Sequence, residues 1–122
     1  MTSRPDNPIQ RVIKKFAYAF EGLFDGMLHD FSIQLQFGFA AFALLVAILM
    51  RFTVMETAVL LICIGLVLCF EYLNSALESM IDHLEPKFSK EAKIAKDLGA
   101  ASVGLSALIS LIIGLLFIFN HL

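Results

Sequence analysis

The chain has 122 residues, of which 59% are hydrophobic, and its formal net charge is −2. Its mean hydropathy is positive, and its charged residues occur in short blocks between long apolar stretches, a composition typical of membrane proteins. The near-neutral charge, with no basic patch interleaved with aromatic residues, argues against nucleic-acid binding.

The first predicted element is an amphipathic helix over about residues 8–29. Asn7 is a favourable capping residue, and Pro8 suits the first helical position because the missing N–H costs nothing there. Apolar residues then recur at helical spacing: Ile9, Val12, Ile13, Phe16, Phe20, Leu23, Phe24 and Met27. Because charged residues occur along the other face, we expect this helix to lie on the membrane surface rather than cross the membrane.

Three apolar stretches follow, at about residues 31–50, 53–77 and 98–119. About 20 apolar helical residues are enough to cross a bilayer, so each stretch predicts one transmembrane helix. The sequence therefore predicts an all-α membrane protein with a single domain over residues 1–122. The third stretch carries a four-residue repeat of small side chains, which would let another helix approach closely: Ser102, Ser106, Ser110 and Gly114.

Basic residues predict the orientation in the membrane. They concentrate before the first apolar stretch and in the loop 82–97: Arg4, Arg11, Lys14 and Lys15, then Lys87, Lys90, Lys93 and Lys96. The loop between the first two stretches has Arg51, and the C-terminal tail has no lysine or arginine. Since cytoplasmic loops are enriched in Lys and Arg, we expect the N-terminus and loop 82–97 in the cytoplasm and the C-terminus outside.

Polar residues form a stripe on the second membrane helix. At 100° per residue, five of them fall on one face: Glu71, Asn74, Ser75, Glu78 and Asp82. Carboxylates near the membrane need a cation, a partner or water, and two of them, two helical turns apart with an amide between, suit a divalent ion. A solvated helix end, or an ion or proton transport subunit that uses Glu71 and Glu78, remains an alternative.

Lys96 and Asp97 lie where the third membrane helix meets the cytoplasm. The topology therefore brings a lysine, the acidic stripe and the basic face of the first helix to one membrane surface. Lysine and magnesium neutralise the charge of nucleotide phosphates during phosphoryl transfer. The glycine-rich loops of Walker and protein-kinase nucleotide sites are absent from the sequence, so ATP would have to bind by other means.

The segment Glu71–Asp82 resembles the signature of the prokaryotic diacylglycerol kinase family, which includes undecaprenol kinases: E-x-x-N-[ST]-A-[IL]-E-x-x-x-D. Ala95-Lys96-Asp97 is similar to the A-K-D of that family. Arg11-Val12-Ile13-Lys14, with Tyr18 and Gly22-Leu23, is similar to its R-x-I-K…Y…G-L start. The resemblance covers nearly the whole chain.

The resemblance implies a surface helix and three membrane helices, assembled as a homotrimer with shared active sites in a bacterial inner membrane. It implies an ATP- and Mg²⁺-dependent lipid kinase. Glu71 would take the proton from the lipid hydroxyl, and Glu78 would bind magnesium. Further residues would surround ATP, the last two from the surface helix: Asn74, Lys96, Asp97, Arg11 and Tyr18.

The sequence departs from the family pattern before the first membrane helix. Where the family has a glutamate and, four residues later, an arginine, this chain has Asp30 and Gln34. Aspartate can still bind magnesium, although its side chain is one methylene shorter, so the resemblance implies Asp30 as a second metal ligand. The loss of the arginine charge leaves Gln34 without an implied role.

Two lipid substrates fit the resemblance. Ser75 and Gly99 favour diacylglycerol, which would give phosphatidic acid. Residues 16–20 and 92–97 favour undecaprenol, which would give undecaprenyl phosphate and which we rank slightly ahead. Apart from transport, a third hypothesis is a structural membrane subunit held by the small-residue repeat, but such a subunit would not need the acidic stripe.

Overall fold

The computed structural model describes residues 5–122, and this part of the chain consists of four α-helices without a β-strand. The helices are α1 (Pro8–His29), α2 (Phe31–Leu49), α3 (Val54–Leu84) and α4 (Lys90–His121). Of these, α2, α3 and α4 are long and apolar enough to cross a membrane. The predicted all-α architecture with an N-terminal helix and three membrane helices is confirmed. Arg4 of the basic N-terminal segment lies outside the described residues.

Helix α1 begins with a reciprocal cap. The Asn7 side chain accepts a hydrogen bond from the Gln10 backbone N–H at 2.7 Å, and the Gln10 side chain accepts one from the Asn7 backbone N–H at 3.2 Å. No residue of α1 is buried, and its large apolar side chains are exposed: Ile9, Val12, Ile13, Phe16, Phe20 and Phe24. An exposed apolar face of this kind needs a membrane interface or a protein partner to cover it.

The junction between α1 and α2 is closed by polar side chains. Asp30 ends α1 and caps α2, where its carboxylate accepts a hydrogen bond from the Ile33 backbone N–H at 3.1 Å. The Gln34 amide donates to the backbone carbonyls of Met27 at 3.1 Å and Leu28 at 3.2 Å. These carbonyls belong to the last turn of α1, where carbonyl groups have no hydrogen-bond donor within the helix. Gln34 thus fixes the bend before the first membrane helix.

Helix α3 is the centre of the fold, because both α2 and α4 pack against it. Six of its residues are buried: Glu56, Leu60, Cys63, Val67, Glu71 and Asn74. The helix continues past residue 77 to Leu84, and α4 begins at Lys90, well before residue 98. Both helices therefore extend beyond the predicted apolar stretches at the same end of the bundle, and they carry the polar residues there on rigid backbone.

The opposite end of the bundle is closed by a polar pair that the sequence pattern did not reveal. Buried Glu56 belongs to the cap of α3 with Thr53, and its carboxylate lies 2.7 Å from Nε2 of His121 at the end of α4. The His121 ring stacks on Phe52 with centroids 5.2 Å apart. Arg51 takes a positive φ of 57° in the turn before Phe52. This cluster fastens the end of α4 to the α2–α3 turn.

The small-residue repeat of α4 lies on the side that faces its own chain. The hydroxyls of Ser102, Ser106 and Ser110 donate to backbone carbonyls one turn earlier in α4. All four residues of the repeat are half-buried, and Ser110 and Gly114 line a groove together with α2 and α3. Part of the repeat thus faces α2 and α3 of its own chain, while its residues stay partly exposed.

Candidate active site

The candidate site is centred on Glu71, which is only 5% exposed although it lies on a membrane helix. The Gln36 side chain of α2 approaches it, with Nε2 at 3.5 Å from Oε2, the limit of a hydrogen bond. Glu78 lies two turns further along α3, and Asp30 caps α2 six residues before Gln36. The structure thus brings three of the predicted acidic residues to one region and adds Gln36 to them.

Asn74 lies one turn further along α3 and is 8% exposed. Its amide nitrogen donates to the Glu78 carboxylate at 3.3 Å. Its carbonyl oxygen is buried and has no hydrogen-bond partner among residues 5–122. This oxygen lies against Gly99 of α4, where an added Cβ would overlap it and would lie 3.1 Å from Leu77 Cδ2. A glycine at position 99 therefore lets α4 pack directly on the polar stripe.

The lysines of α4 are paired with carboxylates at the exposed end of the site. Lys96 forms an ion pair with Asp82 of α3, and Lys93 lies 2.6 Å from Asp97 on α4 itself. All four side chains are at least partly exposed. Exposed ion pairs stabilise a protein by little, about 0–1 kcal/mol. A phosphate group could therefore replace either carboxylate as the lysine's partner at small cost.

Two predicted residues, Arg11 and Tyr18, are not brought to this region. Both are exposed on α1, and in residues 5–122 neither forms a hydrogen bond or ion pair with α3 or α4. The α1–α3 contact is made near the end of α1, where the Tyr72 hydroxyl donates to the Leu23 carbonyl at 2.7 Å. Arg11 is 12 residues before Leu23, so it lies roughly 18 Å away along the helix.

The oxygen donors of the site fit a magnesium ion in their chemistry. No cluster of three or more His, Cys, Asp or Glu residues able to hold a metal forms in residues 5–122. Mg²⁺ commonly binds through one or two carboxylates, with water and substrate phosphates as the other ligands. Asp30, Glu78 and the unpaired Asn74 oxygen are such donors. Glu71 lies seven residues before Glu78, roughly 10 Å along the helix, and the two carboxylates contact different amides, Gln36 and Asn74.

An apolar groove of about 480 Å³ starts beside the site. It is formed by α2, α3 and α4, with Gln36 at the end nearest Glu71 and Phe52 and Ile118 towards the opposite end of the bundle. Apolar side chains form most of its walls: Phe39, Ala40, Phe42, Ala43, Val46, Leu60, Ile64, Val67, Leu68, Leu111 and Leu115. The groove thus joins a buried carboxylate to the apolar interior of the helix bundle.

Three residues of this region were not assigned a role from the sequence. Gln36 is one of two amides in the first apolar stretch, with Gln34, and a polar side chain in a membrane helix is a signal that could have marked it. Gly99 contacts α3, and Tyr72 contacts α1. These contacts can be found only once the packing of the helices is known. Ser75, in contrast, is only half-buried, and no hydrogen bond of its side chain is formed with residues 5–122.

Fold and site together define a multi-pass membrane protein with a polar site at one end of its helices and an apolar groove beside it. Residues 17–118 match the prokaryotic diacylglycerol kinase family. The chain therefore belongs to this family and is a lipid kinase. Membership of this family favours the lipid-kinase interpretation of the Glu71–Glu78 stripe over the transport alternative.

Three similar proteins are also named as lipid kinases. Undecaprenol kinase of Bacillus subtilis is 32% identical over 110 residues, 90% of this chain and 89% of that protein. Diacylglycerol kinase of Escherichia coli K12 is 23% identical over 111 residues, 91% of each chain. Diacylglycerol kinase of Synechocystis is 32% identical over 108 residues, 84% of this chain and 59% of that protein. This chain is thus similar to kinases named for two different lipids.

Proposed function

We propose that this protein uses ATP and Mg²⁺ to phosphorylate the terminal hydroxyl of a membrane lipid, with undecaprenol as the first candidate substrate. The whole chain, residues 1–122, would act as one kinase domain. The observation that carries this proposal is the position of Glu71. It is a buried carboxylate beside Gln36, at the end of an apolar groove that is open to a lipid chain.

In this proposal the lipid lies in the groove with its hydroxyl towards Glu71. The hydrocarbon chain is covered by the apolar walls, and the hydroxyl reaches the inner end, where Gln36 and Glu71 supply polar contacts. Glu71 acts as a general base and takes the proton of the lipid hydroxyl as the hydroxyl oxygen attacks the γ-phosphorus of ATP. The bond between the γ-phosphorus and the β–γ bridging oxygen breaks, and ADP leaves. Burial limits access of water to Glu71, which favours transfer to the lipid over hydrolysis of ATP.

The nucleotide would bind at the other end of the polar stripe, where α3 and α4 extend beyond the apolar region. Glu78 and Asp30 would hold Mg²⁺, which neutralises phosphate charge when it is bound. Lys96 would exchange Asp82 for a phosphate oxygen. Asn74 would orient Glu78 through the 3.3 Å hydrogen bond between them. Asp97, which is exposed and paired with Lys93, belongs to the same surface.

We further propose that the protein acts as a homotrimer with shared active sites. The number of subunits follows from the family resemblance, whereas the sharing is supported by the exposed positions of Arg11 and Tyr18. Because α1 holds both residues away from its own α3 and α4, they would complete the ATP site of a neighbouring subunit. Exposed apolar residues on all three membrane helices leave room for such contacts.

The proposed location is the inner membrane of a bacterium, with the N-terminus and the segment 82–97 in the cytoplasm and the C-terminus outside. The distribution of lysine and arginine supports this orientation. It also places the acidic end of α3 and the lysines of α4 on the side where ATP is available. Glu56 and His121 would then lie on the outer side.

Diacylglycerol is the second candidate substrate, supported by the names of the relatives in Escherichia coli and Synechocystis. Purified protein should be given radiolabelled ATP, Mg²⁺ and either lipid, and the labelled lipid product separated. We expect undecaprenyl phosphate to form with the higher kcat/KM. Preferential formation of phosphatidic acid would reverse the ranking. Equal labelling with and without Mg²⁺ would contradict the metal dependence. If folded protein labels neither lipid, both candidate substrates are contradicted.

A further inference from the structure

Tyr72 is the neighbour of Glu71 on α3, but it points to a different helix. Its hydroxyl donates a hydrogen bond to the Leu23 carbonyl of α1 at 2.7 Å. Its ring lies against Gly26, one turn further along α1, where an added Cβ would lie 2.5 Å from Tyr72 Cε1 and 2.8 Å from Ile33 Cδ1. Gly26 and Tyr72 are therefore matched in size, and together they hold the end of α1 to α3.

This contact is the main tie between the surface helix and the centre of the fold. Apart from it, α1 packs on α2, and its residues are mostly exposed. Asp30 follows directly at the end of α1. The carboxylate of Asp30 accepts a hydrogen bond from the Ile33 backbone N–H, and the Ile33 side chain lies beside the Tyr72 ring over Gly26. A shift of α1 relative to α3 would therefore change the position of Asp30 relative to Glu71.

We propose that Tyr72 is a positioning residue of the kinase, which seats α1 on α3 and thereby sets the place of Asp30 beside the acidic stripe. The inference rests on the proposed function, in which Asp30 binds magnesium. Tyr72 need not touch ATP or lipid in this role. Its ring fills the space that Gly26 leaves, and its hydroxyl fixes the distance between α1 and α3 by the hydrogen bond to the Leu23 carbonyl.

The first test uses Tyr72→Phe, which keeps the ring and removes the hydroxyl. We expect the Mg²⁺ concentration for half-maximal activity to rise by about 3- to 10-fold, the effect of one net hydrogen bond. Hydrogen exchange of the α1 amides from Gly22 to Asp30 should become faster, while exchange in the middle of α4 stays unchanged. The exchange measurement needs no substrate, so it reports the seating of α1 even if the proposed metal or lipid is wrong.

The second test examines the fit between Gly26 and Tyr72. Gly26→Ala should impair Mg²⁺ activation because the new methyl group meets the Tyr72 ring. Gly38→Ala on α2 is the matched control, since a Cβ there meets nothing within 4 Å. Tyr72→Leu should make the protein more tolerant of Gly26→Ala, so that the double variant loses less than the sum of the two single variants, with the remaining loss caused by Ile33 Cδ1. Such non-additivity is the mark of direct contact.

Unchanged exchange of α1 in Tyr72→Phe would overturn the seating role whatever the reaction is. Faster exchange with unchanged Mg²⁺ activation would overturn the positioning role, because α1 would then move without consequence for the metal. Additive effects of Gly26→Ala and Tyr72→Leu would overturn the matched packing. If Mg²⁺ does not activate the wild-type protein, the proposed function fails, and the assignment of Tyr72 as a kinase positioning residue is overturned with it.

Discussion

The amide of Gln36 lies 3.5 Å from the buried carboxylate of Glu71, and this contact joins α2 to α3 at the end of the apolar groove. Gln36 lines the groove itself, so one side chain touches both the proposed base and the proposed path of the lipid. The relationship explains how a carboxylate is held in one orientation inside a membrane helix bundle, where few other polar groups are available.

Replacement of Gln36 by leucine should lower kcat without loss of the fold. The hydrogen bond is long, so we expect a decrease of about 3- to 10-fold, the range for an ordinary hydrogen bond and below that for a bond to a charged group. Steady-state kinetics at saturating ATP and Mg²⁺ would measure it. Gln10→Leu is the control, because it makes the same substitution at the start of α1, away from Glu71. It should leave kcat within twofold of the wild-type value. An unchanged kcat for Gln36→Leu would remove this residue from the site.

Glu78→Ala should raise the Mg²⁺ concentration required for activity more than it raises the KM for lipid. Loss of even an indirect contact to a metal commonly costs about 10- to 100-fold, and a direct ligand should cost at least the lower value. Titration of activity with Mg²⁺ at fixed lipid gives the shift. Glu85→Ala, an exposed carboxylate at the end of α3, is the matched control. Equal Mg²⁺ dependence in both variants would place the metal elsewhere.

Gly99→Ala should destabilise the protein and lower its activity. The added methyl group would overlap the buried Asn74 oxygen, and overpacking of this kind costs about 1–3 kcal/mol. Gly104→Ala on the same helix meets nothing within 4 Å and should be neutral or slightly stabilising. Thermal unfolding in detergent compares the two variants. Equal midpoints would mean that α4 does not pack closely on Asn74.

Much of the fold could be predicted from the sequence, because a membrane helix is recognised by the length of its apolar stretch. The three spans and the surface helix required only the spacing of apolar residues and the capping pair at Asn7 and Pro8. The apolar stretches end at residue 77 and begin at residue 98, short of the ends of α3 and α4, because hydropathy marks only the part of a helix in the membrane. It does not mark where a polar helix continues into water.

The interior of the site was harder to predict, because it depends on which helix faces meet. The stripe from Glu71 to Asp82 is visible on one helix, but its contacts with Gln36 and Gly99 join different helices. For the same reason the small-residue repeat of α4 predicts a close helix contact but not which helix makes it, and two of its residues line the groove with α2 and α3. The Glu56–His121 pair joins residues 65 positions apart, beyond any local pattern.

Shared active sites predict that two inactive variants can complement each other. In a 1:1 mixture of Glu71→Gln and Arg11→Ala subunits, about one quarter of the sites (1/2 × 1/2) would combine an intact Glu71 with an intact Arg11 from a neighbour. Activity should return towards that fraction in verified mixed oligomers. Oligomers of each variant alone are the controls. No recovery in the mixture would mean that Arg11 serves the site of its own subunit or has no part in it.

The central claim is that Glu71 is the general base of a lipid kinase, and the turnover of Glu71→Gln tests it most directly. Loss of a general base typically costs about 10²- to 10⁴-fold in rate, so we predict a decrease of that size in kcat for lipid phosphorylation. Glu56→Gln makes the same chemical change at a buried carboxylate of the same helix, at the other end of the bundle, and should retain turnover wherever it remains folded. A folded Glu71→Gln protein that phosphorylates lipid at the wild-type rate would contradict the account.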